Sequence, residues 1–141
     1  MKNNKLKVVL DTNVLLVSLP PLSQYRPIFD KLLNGAYELF ISNEILTEYE
    51  EKIAERYDLQ TVKELFELLL ILPNVNKITP YFRWKLIVND QDDDKFVDTA
   101  ISATTDYLVT NDKHFNILKS LDFPKVTICK AEEFKTILLD Y

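Results

Sequence analysis

Four short apolar runs, each bounded by polar residues and separated by segments of helical pattern, limit what this chain can fold into more than any other feature. They are KVVL (7–10), YELFIS (37–42), YLVTN (107–111) and VTIC (126–129). Each is apolar over most of its length, as strands covered on both faces are. Between them, Ile28, Phe29, Leu32 and Leu33 predict a short helix with Pro27 near its start and Gly35 just past its end. Ile45, Leu46, Tyr49 and Ile53 form one stripe behind Ser42, a favourable N-cap. Leu65, Leu68, Leu69 and Leu72 predict a helix that stops at Pro73, and Phe96, Val97, Ala100 and Ile101 predict another. Two more are expected within 112–121 and 130–141. Strands alternating with helices predict an α/β domain with a parallel sheet, whose ligand crevice lies beyond the carboxyl ends of its strands. With 141 residues and no repeat or Gly/Ser linker, a single domain spanning 1–141 is expected.

Composition removes several function classes. A single glycine, Gly35, excludes the glycine-rich phosphate loops, which need several positions without a side chain. One cysteine, Cys129, and one histidine, His114, cannot build a Cys/His zinc site or an internal disulfide. The net charge of −5 repels polyanions on average, so any nucleic-acid role must rest on a local site. The most apolar stretch, LFELLLILP (65–73), is too short to span a bilayer, and the expectation is a cytoplasmic protein with no membrane partner.

Carboxylates stand where the crevice should be. Asp11 ends the first run and Asp112 follows the third; Glu48 lies within the helix behind Ser42, and Asp90, Asp92, Asp93 and Asp94 precede the helix that begins near Lys95. Taken singly, each has an ordinary explanation: Asp11 and Asp112 as N-caps, Glu48 as one of a row of exposed glutamates, the aspartate run as a solvated loop. Together they are harder to dismiss. Two unpaired carboxylates ~5 Å apart repel by roughly 3 kcal/mol at an effective dielectric near 20, so a cluster needs shared protons or a divalent cation. Oxygen-only ligands favour Mg²⁺ or Mn²⁺, and phosphodiester hydrolysis is the reaction such a site suits best.

Four ordered elements, VVLDTNVLL, ISNEILTEYEE, DQDDDKFVDTAI and DYLVTNDKHF, resemble the PIN-domain nucleases, and among them the small single-domain VapC-like toxins of bacterial toxin–antitoxin pairs. The resemblance implies a three-layer α/β/α sandwich with a central parallel sheet and metal-dependent endoribonuclease activity. Carried over by position, Asp11, Glu48, Asp94 and Asp112 are the catalytic, metal-holding acids, with Mg²⁺ or Mn²⁺ as cofactor. Asp93 and Asp98 are candidates to share the third place with Asp94. Asn13 and Thr110 look like the polar residues that support the cluster, and Lys113 and His114 are candidate contacts for a substrate phosphate. An RNA substrate and a cognate antitoxin are implied partners; apolar positions on more than one face of the 61–73 segment, Leu68 to Ile71, allow a homodimer or antitoxin surface. Two other readings compete: a Mg²⁺-dependent phosphotransfer or phosphatase domain with Asp11 as covalent acceptor, weakened by Asn rather than Asp at position 13, and a non-catalytic interaction module of the same fold.

Overall fold

The computed structural model describes residues 5–87 and 90–141. The first strand, β1 (Leu6–Leu10), runs into α1 (Thr12–Ser18), then α2 (Arg26–Leu33) and β2 (Tyr37–Ile41). Next come α3 (Asn43–Ala54), α4 (Leu59–Ile71) and a short β3 (Val75–Lys77). After the loop that follows, α5 (Asp94–Ala103), β4 (Tyr107–Val109), β5 (Ile128–Cys129) and α6 (Ala131–Ile137) complete the chain, with 3₁₀ turns at Gln91–Asp93, Lys113–Ser120 and Leu138–Asp140. All five strands are parallel, in the order β3-β2-β1-β4-β5. The expected parallel sheet flanked by helices is therefore present, with one strand more than the four apolar runs indicated. Residues 75–77, VNK, contain a single apolar side chain, and an edge strand needs no buried face on both sides. The segment 112–121 is a 3₁₀ rather than an α-helix.

The chain leaves β1 towards β2 and β3 on one side and returns to place β4 and β5 on the other. The order thus reverses between β1 and β4, and a doubly wound sheet opens its crevice at that reversal, outside the carboxyl ends of the strands. Register brings the two ends level: Leu10 pairs with Val109, and the Asp11 amide donates to the Val109 carbonyl at 3.0 Å.

Val8, Val9, Leu10, Leu39, Leu108 and Val109 are fully buried between the helical layers. α1 packs on α2 and α3, α3 on α4, and α5 crosses β1, β2 and β4. Two caps behave as their residues predict. Ser42 Oγ accepts from the Ile45 amide at 3.2 Å to start α3, and Gly35 takes φ 83° where the chain leaves α2, a conformation that a Cβ disfavours. Buried polar groups tie elements together: the Asn74 amide donates to the carbonyls of Leu32 and Tyr37, and the Tyr49 hydroxyl on α3 donates to the Leu10 carbonyl at 2.6 Å. That last bond holds the end of β1 one residue before Asp11. Tyr49→Phe leaves a buried carbonyl short of its partner and is expected to cost about 1–3 kcal/mol, measurable by urea denaturation. Among the described residues no helix is long and apolar enough to cross a membrane.

Candidate metal centre at the carboxyl edge of the sheet

Asp11 leaves β1 into the N-cap position of α1, yet its side chain makes no cap hydrogen bond. Instead Asp11 Oδ2 accepts from the Thr110 hydroxyl at 2.7 Å, and the residue is 6 % exposed. The same Thr110 oxygen accepts from the Asp112 amide at 3.0 Å, so one hydroxyl beyond β4 orients two acids. Burial raises the Asp11 carboxyl above its ordinary value; the Thr110 bond opposes this, and the charges of Glu48 and Asp112 add to it. Asp112 does cap, taking the His114 amide on Oδ1 at 2.9 Å at the start of the Lys113–Ser120 turn. Its N-cap role and its place in the cluster are compatible, because a carboxylate has a second oxygen.

Glu48 reaches the cluster from α3. Its Oε2 accepts from the Thr12 hydroxyl, and its Oε1 pairs with Lys95 Nζ at 2.6 Å. Both side chains of that pair are largely sheltered, at 22 % and 14 % exposure, so the contact is shielded more than a surface ion pair would be. Lys95 also donates to the Asp92 carbonyl at 2.6 Å, which fixes its ammonium beside Glu48.

Of the two adjacent acids, Asp93 lies with Asp11 and Asp112, and Asp94 is bound elsewhere. Asp93 ends the Gln91–Asp93 turn, and its Oδ2 is buried without a hydrogen-bond partner. Burial, then the charges of Asp90, Asp11, Asp112 and Glu48, push its carboxyl up to about 7. Asp94 Oδ1 instead accepts the Ile87 amide at 3.0 Å, and Asp98 Oδ1 accepts the Trp84 amide at 3.0 Å. These two acids hold the preceding loop to α5 and line a separate cleft with Arg83 and Lys85. Neighbouring helical residues point about 100° apart, so only one of positions 93 and 94 can face the sheet edge. A sequence signal for this exists: Phe96, Val97 and Ala100, all buried, lie three, four and seven residues after Asp93, which puts Asp93 on the stripe facing the sheet.

The two candidate supporting residues are placed differently. Thr110 stands between Asp11 and Asp112, but Asn13 is exposed and Thr12, its buried neighbour, makes the contact to Glu48. His114 lies at the rim, Nδ1 3.5 Å from Asp112 Oδ1 and 3.9 Å from Asp93 Oδ2. Lys113 is exposed beside it. Lys95 escaped sequence reasoning because a lysine after an acidic run reads as part of a solvated charge pattern.

A search of curated protein sequences finds no match. A family model described as "PIN domain" matches residues 7–114. The chain belongs to the PIN domain family. Solved structures with the same fold include VapBC2 from Rickettsia felis bound to a promoter DNA fragment, at 15 % identity and TM-score 0.60, covering 88 % of this chain and 98 % of that one. FitAcB from Neisseria gonorrhoeae aligns at 19 % identity and TM-score 0.56, over 89 % of this chain and 98 % of the other.

The donor set of this PIN domain fits a hard divalent cation. Asp11, Glu48, Asp93 and Asp112 offer oxygens only, and an orphaned, buried carboxylate oxygen on Asp93 is costly until something positive meets it. Among the described residues, the acids and histidine whose ligand atoms all lie within 4.8 Å of one another are Asp90, Asp93 and His114, which share Asp93 with the wider acidic cluster. A pH dependence follows. A carboxyl whose folded pKa is raised to about 7 destabilises the fold as pH climbs from its unfolded value of 3.8 through 7, and the Asp11 shift has the same sign. In EDTA, the melting temperature is expected to rise as the pH falls from about 8 to about 5.5, and about 10 mM Mg²⁺ should flatten that trend. Differential scanning fluorimetry reads both.

Proposed function

We propose that this PIN domain is a Mg²⁺- or Mn²⁺-dependent endoribonuclease, the toxin of a toxin–antitoxin pair. The observation that carries the reading is that Asp11, Glu48, Asp93 and Asp112, delivered by four separate elements, lie close enough for their charges to act on one another, and that one buried carboxylate oxygen, on Asp93, lacks a partner. A divalent cation held there would supply positive charge opposite the phosphoryl and leaving oxygens, where negative charge develops during in-line displacement. Asp11, Asp93 and Asp112 would hold it, with Glu48 beside them. The Thr110 and Thr12 hydroxyls orient Asp11 and Glu48, and Lys95 holds Glu48 in place. In hydrolysis the bond from water oxygen to phosphorus forms as the bond to the leaving ribose oxygen breaks; a carboxylate of the cluster accepts the proton of the attacking water, and the departing ribose oxygen takes one from solvent water.

An aspartyl-phosphate mechanism fits less well. Asp11 is 6 % exposed, one of its oxygens is taken by Thr110, and its neighbours are carboxylates, which oppose an incoming phosphoryl group. RNA as substrate and an antitoxin as partner come from the resemblance to the VapC-like toxins. Exposed Leu59, Leu70 and Ile71 on α4 supply an apolar face for an antitoxin or a second copy. The test is incubation of purified protein with single-stranded and structured RNAs in Mg²⁺, Mn²⁺ or EDTA. Internal cleavage that needs the metal is expected; wild-type protein that leaves every RNA intact in both metals would overturn the reading.

A further inference from the structure

Asp112 and Thr110 have a second neighbour. At the carboxyl ends of β4 and β5 they form one wall of a cleft of about 430 Å³, and ligand clefts typically measure about 300–1,000 Å³. Its chemistry departs from that of the whole chain. In a protein of net charge −5, three lysines, Lys113, Lys119 and Lys130, gather around this one opening. The carboxylate of Glu133 also lines it, with Oε1 taken by the Lys130 amide at 2.8 Å. Asn111 and Asn116 contribute amides; Asn111 Oδ1 accepts from the Ala131 amide, which fixes the group and leaves its NH₂ end to donate. Ile128 and the buried Cys129 add apolar surface, and burial pushes the Cys129 thiol up to about 12, so it carries no charge near neutrality.

An apolar surface, side-chain amides, one of them fixed, and a ring of ammonium groups correspond, part by part, to the faces of a base, its polar edges and the phosphates on either side. The acidic cluster by itself repels a polyanion, so the affinity that brings a strand to it must come from cations nearby. This cleft is the basic surface that shares residues with the cluster. Resting on the ribonuclease reading above, we propose that the cleft seats one unpaired nucleotide of the RNA strand next to the phosphate held at the cluster, with Lys113, Lys119 and Lys130 contacting its flanking phosphates. A base must leave its stack to enter such a recess, so single strands and loops should be preferred over duplex.

The test uses Lys119→Glu/Lys130→Glu, with Lys63→Glu/Lys125→Glu as a control of equal charge change away from the cleft. Affinity for a labelled uridine dodecamer is measured by anisotropy in an Asp11→Asn background that prevents cleavage, and steady-state cleavage is measured with Asp11 intact. The cleft variant is expected to bind at least about tenfold more weakly, with a salt slope smaller by about 1.4 for two lost phosphate contacts. Its KM should rise with kcat nearly unchanged, and the Mg²⁺-induced rise in melting temperature should match wild type. RNA duplex of equal length should bind more weakly than the single strand. A cleft variant that binds and cleaves like the control, while wild type cleaves RNA, overturns the nucleotide seat alone; so does equal affinity for duplex. An acidic peptide that binds the cleft and leaves RNA affinity untouched also overturns it. Wild type that neither binds nor cleaves RNA overturns the reading on which the seat rests.

Discussion

Replacing Asp11 by Asn is expected to lower RNA cleavage by about 10³-fold or more while raising the melting temperature of the metal-free protein. Both effects have one cause. Asp11 sits almost wholly buried at the end of β1, raised in pKa first by that burial, with Glu48 and Asp112 adding unfavourable charge. Asn keeps the shape, and its carbonyl can still accept from Thr110, so the geometry of β1 and β4 survives. The negative charge does not survive. Without it the remaining acids repel less, and Asp93, whose raised pKa owes part of its shift to Asp11, is relieved. The same loss removes a ligand, so the thermal shift produced by Mg²⁺ should shrink along with activity. Single-turnover cleavage and fluorimetry with and without EDTA measure the two halves. Cleavage within about tenfold of wild type would remove Asp11 from the catalytic set.

The second large effect separates adjacent residues. Asp93→Asn is expected to reduce cleavage by about 10²-fold or more, whereas Asp94→Ala should keep activity within about tenfold and lose stability instead. Asp93 turns a buried oxygen towards the cluster, while Asp94 holds the Ile87 amide and thereby the loop that precedes α5. Removing that acceptor costs about 1–3 kcal/mol for the orphaned amide, read as a lower denaturation midpoint. The reverse result, with Asp94→Ala inactive and Asp93→Asn active, would restore the assignment suggested by motif position.

That adjacent pair also shows where reading the sequence runs out. Apolar runs at 7–10, 37–42 and 107–111 announce strands because burial on both faces requires continuous hydrophobicity, whereas VNK at 75–77 announces nothing because an edge strand is held by backbone bonds. Ser42 declares a cap because its hydroxyl acts on an amide three residues away. Thr12 declares nothing, since its partner, Glu48, is 36 positions distant. Motif position points to Asp94 rather than Asp93, and the choice turns on a single helical step of about 100° at the junction of a 3₁₀ turn and an α-helix.

Local patterns of burial and capping specify the alternation of strand and helix, hence a parallel sheet, and they place carboxylates after β1 and β4, because strand ends and helix starts are written in neighbouring residues. The sequence also carries the family's ordered motifs. Folding in three dimensions sets which acids lie near one another, pairs Lys95 with Glu48, and gathers three scattered lysines around one cleft beside Asp112. Those relations depend on strand order and on side-chain direction. Both follow from how helices pack across β1, β2 and β4, a long-range compromise that no local stretch of residues encodes.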